Sequence, residues 1–114
     1  MVITTTPFVA GFRVLESKGQ VFGLVVRSRG LAGNITASLR SLVGGEIREY
    51  TELLEDTRRQ AMDRMVQNAT LLGGNAVISM RFDSSELNNS MSEIVAYGTA
   101  VVIEADPGAA QPLE

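Results

Sequence analysis

The sequence has 114 residues, 45% apolar and 20% charged, with 13 acids against 10 bases and a net charge of −3. That is room for one domain with a single core, and it excludes a disordered chain. The absence of Cys and His excludes disulfides, thiolate or imidazole metal sites, Ser–His and Cys nucleophiles, and His acid–base chemistry. The acidic total argues against general nucleic-acid binding, which needs clustered Lys and Arg. No apolar run approaches the roughly 18 residues of a membrane span. The amino terminus has no basic segment followed by an apolar stretch, so a cytoplasmic location is expected. Charge is uneven: residues 1–45 carry +4, residues 46–74 carry −2 and residues 75–114 carry −5. Either the two ends neighbour each other in the fold, or complementary faces meet between subunits.

Val2–Thr6 reads as an edge strand stopped by Pro7. Residues 12–28 read as a β-hairpin turning at Lys18-Gly19, with Phe12, Val14 and Leu15 on its first arm. On the second arm Val21, Gly23 and Val25 alternate with Phe22, Leu24 and Val26. Both faces are apolar, so burial on both is expected. Asn34 is a good N-cap for a helix whose apolar positions are Ile35, Leu39, Leu42 and Val43, ended by Gly44-Gly45. A second helix is expected from about Glu46 to Leu72, roughly 40 Å long. Its stripe runs Tyr50, Leu53, Leu54, Ala61, Met62, Met65, Val66, Ala69 and Leu72. Glu46, Glu49, Glu52 and Glu55 lie early in it, where the helix dipole favours acids, and Gly73-Gly74 closes it.

Two strands follow. Ala76, Ile78, Met80 and Phe82 are expected on one face of the first, with Val77, Ser79, Arg81 and Asp83 on the other. Ser84–Ser90 reads as a polar turn. Residues 91–105 form a long strand, with Met91, Val95, Tyr97, Val101 and Ile103 on one side. Ile94, Ala96, Ala100 and Val102 take the other. Gly98 predicts a bulge or a close backbone approach. The domain is therefore expected to span 1–105, with a disordered tail over 106–114. Strands, then helices, then strands indicate an α+β fold: an antiparallel sheet with two helices packed on one face.

The best binding candidate is the strand-to-helix stretch containing Arg27, Arg29, Gly30, Gly33 and Asn34. Its arginines and glycine amides suit an anion, although it lacks the Gly-Lys-Ser/Thr ending of a P-loop. The alternative is a capped turn whose arginines are solvated or paired to a neighbouring subunit. Asp83, Glu86 and Glu93, with Ser84 and Ser85, offer an all-oxygen set for a hard ion, but their spacing matches no calcium loop. The alternative there is a solvated acidic turn. Glu52, Glu55 and Asp56 are carboxylates on a charged helix face. Met62 and Met65 read as packing.

Gly33-Asn34-Ile35, Val43-Gly44-Gly45 and Glu49-Tyr50 are followed by Arg59, Ala61, Met65 and Ala69. Then come Leu72-Gly73-Gly74-Asn75-Ala76-Val77 and Gly98-Thr99-Ala100-Val101-Val102. This ordered set closely resembles the YbjQ-like family of small uncharacterised, mostly bacterial proteins. The resemblance implies a dodecin-like two-layer α+β subunit assembled as a homopentameric ring. It also implies a label of heavy-metal binding with no established activity. Soft metals take thiolate and imidazole, and the chain has neither. The expectation is thus a cytoplasmic homo-oligomeric structural or small-ligand-binding protein, without cofactor and not an enzyme. Its partner is itself, not nucleic acid or membrane. The alternative is a metal-binding protein using carboxylate oxygens.

Overall fold

The computed structural model describes residues 1–28, 48–88 and 91–108. The described elements are β1 (Val2–Ile3), β2 (Phe12–Ser28), α1 (Arg48–Leu71), β3 (Ala76–Asn88) and β4 (Met91–Ala105). The strands form one sheet in the order β1-β3-β4-β2, and α1 packs on one face of it. The fold is α+β as expected, but the sheet is mixed. β2 and β3 pair antiparallel with β4, whereas β1 joins β3 in parallel. The amino-terminal segment runs along the edge of β3 in its direction, fixed by Thr4 N–H to Val77 O and Met80 N–H to Thr4 O, both 2.9 Å. The helix expected over 34–43 lies outside the described residues, as do residues 109–114 of the expected tail.

The hairpin expected over 12–28 is instead one strand of 17 residues. β4 is long enough to pair with all of it, from Phe12 opposite Ala105 to Ser28 opposite Met91. The glycine at Lys18-Gly19 serves an irregularity rather than a reversal. The register shifts between Ser17 and Gly19, and Gly19 takes a φ of 104°. The expected Ser84–Ser90 turn is also mostly strand. Asp83, Ser84, Ser85 and Glu86 pair with Val95, Ile94, Glu93 and Ser92, so the polar run is an exposed ladder and not a loop.

The alternation expected for β4 holds: Ala96 and Ala100 face α1, while Val101 and Ile103 belong to a second cluster with Ala76. The alternation expected for β3 does not. Between Ile78 and Arg81 the strand carries a bulge opposite Gly98, and Ser79 takes a φ of 54°. Val77, Met80 and Phe82 thereby come to the helix side, and Ala76 and Ile78 to the other. Gly98 leaves room for the bulge, since a Cβ there would stand 2.7 Å from Val77 Cγ1 and 2.9 Å from Ile78 O.

The helix seats Ala61, Met65 and Ala69 on the sheet with no exposed area. Ala61 and Ala69, with one-carbon side chains, let helix and strand backbones approach. The closest approach is at Gly23 of β2, where a Cβ would fall onto the backbone of Ala61 and Met65. Leu54 and Leu72, expected in the buried stripe, are exposed. Gly73, at a φ of 90°, ends the helix with N–H bonds from Gly73 to Thr70 O and from Gly74 to Ala69 O. Asn75 follows and acts as an extra strand residue. Its Nδ2 donates to Ile103 O at 2.9 Å and its Oδ1 accepts from Ile103 N at 2.7 Å. Arg13 and Glu104, opposite each other in register, pair through the Arg13 Nε at 3.0 Å. Glu104 holds the Arg13 guanidinium above its ordinary range, by that hydrogen bonding first and by charge attraction second.

Gly23→Ala is expected to destabilise the fold by about 2–3 kcal/mol or more, because the atoms it meets are backbone and cannot rotate away; urea unfolding at constant m-value measures this. Asn75→Ala strands the N–H and C=O of Ile103 and is expected to cost about 1–3 kcal/mol in the same measurement.

Candidate functional site

The described residues form a cleft and an open groove on opposite faces of the sheet. The first is a cleft of about 570 Å³ between the amino-terminal half of α1 and the far ends of β3 and β4. It follows from residue size. Gly23 lets helix and strand come into backbone contact at Ala61 and Met65, whereas Leu54, Phe82 and Ile94 lie between the two layers further along. These three give the cleft an apolar floor, and Glu55 and Arg58 of α1 put charges beside it. The Arg58 guanidinium lies 5.2 Å from the centroid of the Phe82 ring, a cation–π arrangement. Among the described residues Arg58 has no carboxylate within ion-pair distance. The volume falls in the range of small-molecule pockets.

The second is an open groove of about 400 Å³ on the sheet face away from α1, lined by Gln20, Phe22, Leu24, Glu93, Val95 and Tyr97. Here the expectation of a strand buried on both sides is corrected within the single chain. Val21 and Val25 are covered by α1, but Phe22, Leu24 and Val26 are 53%, 40% and 44% exposed. α1 covers one face only. The amino-terminal segment covers part of the other, where Val9 packs with Ala76, Val101 and Ile103.

The anion candidate is only partly described. Arg27 sits near the end of β2, with Nη2 3.7 Å from Asp56 Oδ2 of α1, so its charge is turned toward the helix. Its buried Nε has no hydrogen-bond partner among the described residues. Arg29, Gly30, Gly33 and Asn34 lie outside the described residues. The acidic candidate is divided by the register. Asp83 pairs with Val95 and Glu93 with Ser85, which places both on one face in neighbouring rows. Glu86 pairs with Ser92, at the opposite parity. Among the described residues no three of His, Cys, Asp or Glu come together as a metal site. On the helix, Glu52, Glu55 and Asp56 are exposed, and Asp56 accepts from Gln60 Nε2 at 2.9 Å. Met65 and Met80 are buried and Met62 packs against them, as read for Met62 and Met65 from the sequence.

The Arg58–Phe82 pair was not legible in sequence. Phe82 reaches the helix side only because of the bulge at Ser79-Met80, and its sequence signal is Gly98 on the partner strand.

Among the described residues, one long helix on one face of a mixed sheet, with a cleft at one end and an open apolar face behind, defines a small α+β protein. Residues 1–104 match the family described as "Putative heavy-metal-binding", and the chain belongs to this YbjQ family. It is 62% identical over 104 residues to a UPF0145 protein of Bradyrhizobium sp. (strain ORS 278), covering 91% of this chain and 94% of that one. It is 58% identical over 103 residues to a UPF0145 protein of the archaeon Sulfurisphaera tokodaii, covering 90% of each. The family is thus not confined to bacteria. A crystal structure of a protein with unknown function of the DUF74 family from Pediococcus pentosaceus shares the fold, with a TM-score of 0.58 and 21% identity over 91% of this chain and 98% of that one. Among the described residues no helix is long and apolar enough to cross a membrane.

The family's metal label can be tested against the donors present. The chain has no Cys or His, so its sulfur donors are five Met. Met62, Met65 and Met80 are committed to the core. Met1 and Met91 are exposed, but the register sets them at opposite ends of β3. These residues do not fit a thiophilic ion. Titration with Cd²⁺ or Cu⁺ is expected to show no stoichiometric binding at micromolar protein, and no shift in melting temperature.

Proposed function

We propose that the chain works as a cytoplasmic homo-oligomer, a pentameric ring, with a structural or small-ligand-binding role and no catalytic one. The observation that carries the reading is the open sheet face of Phe22, Leu24, Val26 and Tyr97, all at least about a third exposed. A contiguous apolar patch of this kind marks an association surface, and identical copies are the partner always at hand. The non-enzymatic part is supported by the lack of Cys and His, and by the single lysine. Lys18 is held by Glu16 at 2.8 Å and lines neither the cleft nor the open groove. The small-ligand part is supported by the cleft, whose Arg58 keeps its hydrogen-bond donors over an apolar floor.

Native mass spectrometry and light scattering at micromolar concentration are expected to report five copies. Phe22→Asp, at the centre of the open face, is expected to shift the population to smaller species with the helical and strand signal of the circular dichroism kept. A wild-type chain that is monomeric, soluble and silent to hydrophobic dyes overturns the reading. For the cleft, compounds that raise the melting temperature are expected to lose that effect in Arg58→Ala.

A second reading is metal binding through carboxylate oxygens. The placement of Asp83 and Glu93 in adjacent rows of one face favours it. Millimolar Ca²⁺ raises the melting temperature under this reading, and Asp83→Asn with Glu93→Gln abolishes the rise; no rise in the wild type removes it.

A further inference from the structure

Among the described residues β2 is the outermost strand on its side of the sheet, with β4 on its inner edge only. The other edge would present every second N–H and C=O to any strand that arrived. The stretch along that edge is hazardous. Val21-Phe22-Gly23-Leu24-Val25-Val26 is uncharged, free of proline and rich in β-formers, the profile of a segment that pairs with copies of itself.

Two side chains of α1 reach this strand. Arg64 Nη1 donates to Leu24 O at 2.5 Å, and Asn68 Nδ2 donates to Phe22 O at 2.8 Å. The two donors are four residues apart, one above the other on the helix surface, a rise of about 6 Å. The two acceptors are two residues apart, which on a strand is about 6.7 Å, and carbonyls at that spacing point the same way. The helix runs opposite to β2, so the later donor meets the earlier acceptor. β4 fills the other side of the strand, which leaves the free edge as the side from which a helix residue can reach these oxygens. Gly23, between the two acceptors, is where the helix backbone comes down on the strand, and this brings both donors into range. Both side chains are exposed, so burial does not explain their placement. The opposite edge of the sheet is closed by different means. There the amino-terminal segment bonds to β3 through Val77 O and the amides of Ser79 and Met80.

We propose that Arg64 and Asn68 form an edge clamp that withholds the free edge of β2, at Phe22–Leu24, from pairing with the same stretch of a second copy. The clamp does not rest on the ring reading: it acts at the strand edge, whereas the ring contact is placed on the sheet face.

The test is the full chain with Arg64→Ala and Asn68→Ala together. The variant keeps its circular dichroism and forms dye-binding fibrils at least ten-fold sooner than wild type at the same concentration. Diffraction from the fibrils shows the strand spacing of about 4.7–4.8 Å. Met62→Ala, brought to the same melting temperature by added urea or temperature, controls for lost stability. Arg64→Lys with Asn68 intact, which keeps a donor at each position, stays near the wild-type rate. A folded double variant that grows no faster than wild type, or no faster than the melt-matched Met62→Ala, overturns the clamp. If the double variant does not fold, Asn68→Ala alone is read in the same way, with at least a three-fold acceleration expected and a wild-type rate overturning the proposal.

Discussion

The structure depends on the contact between α1 and β2 at Gly23. Helices usually stand off a sheet by the length of their side chains. Here the backbone carbonyl of Ala61 and the amide of Met65 lie where a Cβ of residue 23 would be. That approach sets the depth of the core, because Val21, Val25, Met65 and Ala69 then close around it without exposed area to spare. It also orients the helix along β2, so that Arg64 and Asn68 come over the strand carbonyls. Further from Gly23 the layers part around Leu54, Phe82 and Ile94, and the space between them is the cleft. One missing side chain therefore positions the core, the edge contacts and the concavity together.

What the sequence revealed depended on whether a residue's signal was local. β4 was legible because its alternation, Ala96 and Ala100 against Val101 and Ile103, runs undisturbed on both faces. The helix was legible from its spacing and from Gly73-Gly74, which end it as read. β2 was misread as a hairpin because Lys18-Gly19 has the chemistry of a turn. Whether glycine at positive φ makes a turn or a bulge is decided by the partner strand, and β4 continues past it. The faces of β3 were misassigned for the same reason. The extra residue at Ser79-Met80 is accommodated by Gly98, more than fifteen residues away in the chain, and shifts the side chains from Met80 to Glu86 by one face.

The candidate site shows the same division. Absent chemistry is a local property and was read without structure: with no Cys or His, a thiophilic centre has nothing to hold it. The buried Met65 and Met80 then show that the remaining sulfur belongs to the core. Assembled chemistry was not readable. Arg58 and Phe82 meet across two elements only after the bulge has turned Phe82 inward. Asp83, Glu86 and Glu93 look like a set in sequence because they flank one polar run. In an antiparallel ladder parity decides, and it places Glu86 apart from the other two.

The two faces of the sheet solve different problems with the same residue types. On the helix side, alternating Val21, Gly23 and Val25 make a dry contact that needs no other copy. On the other side Phe22, Leu24 and Val26 are at least as β-prone and as apolar, yet α1 does not cover them. A strand apolar on both faces therefore asks for two coverings, and a 24-residue helix supplies one. Charge or polarity at positions 22, 24 and 26 would have met the stability needs of a lone chain at lower risk. Keeping them apolar makes sense where association by the face is wanted. On the two proposals together, the hydrogen bonds from Arg64 and Asn68 would keep that association on the face, because they occupy the carbonyls through which the same strand would otherwise add to a neighbour by its edge.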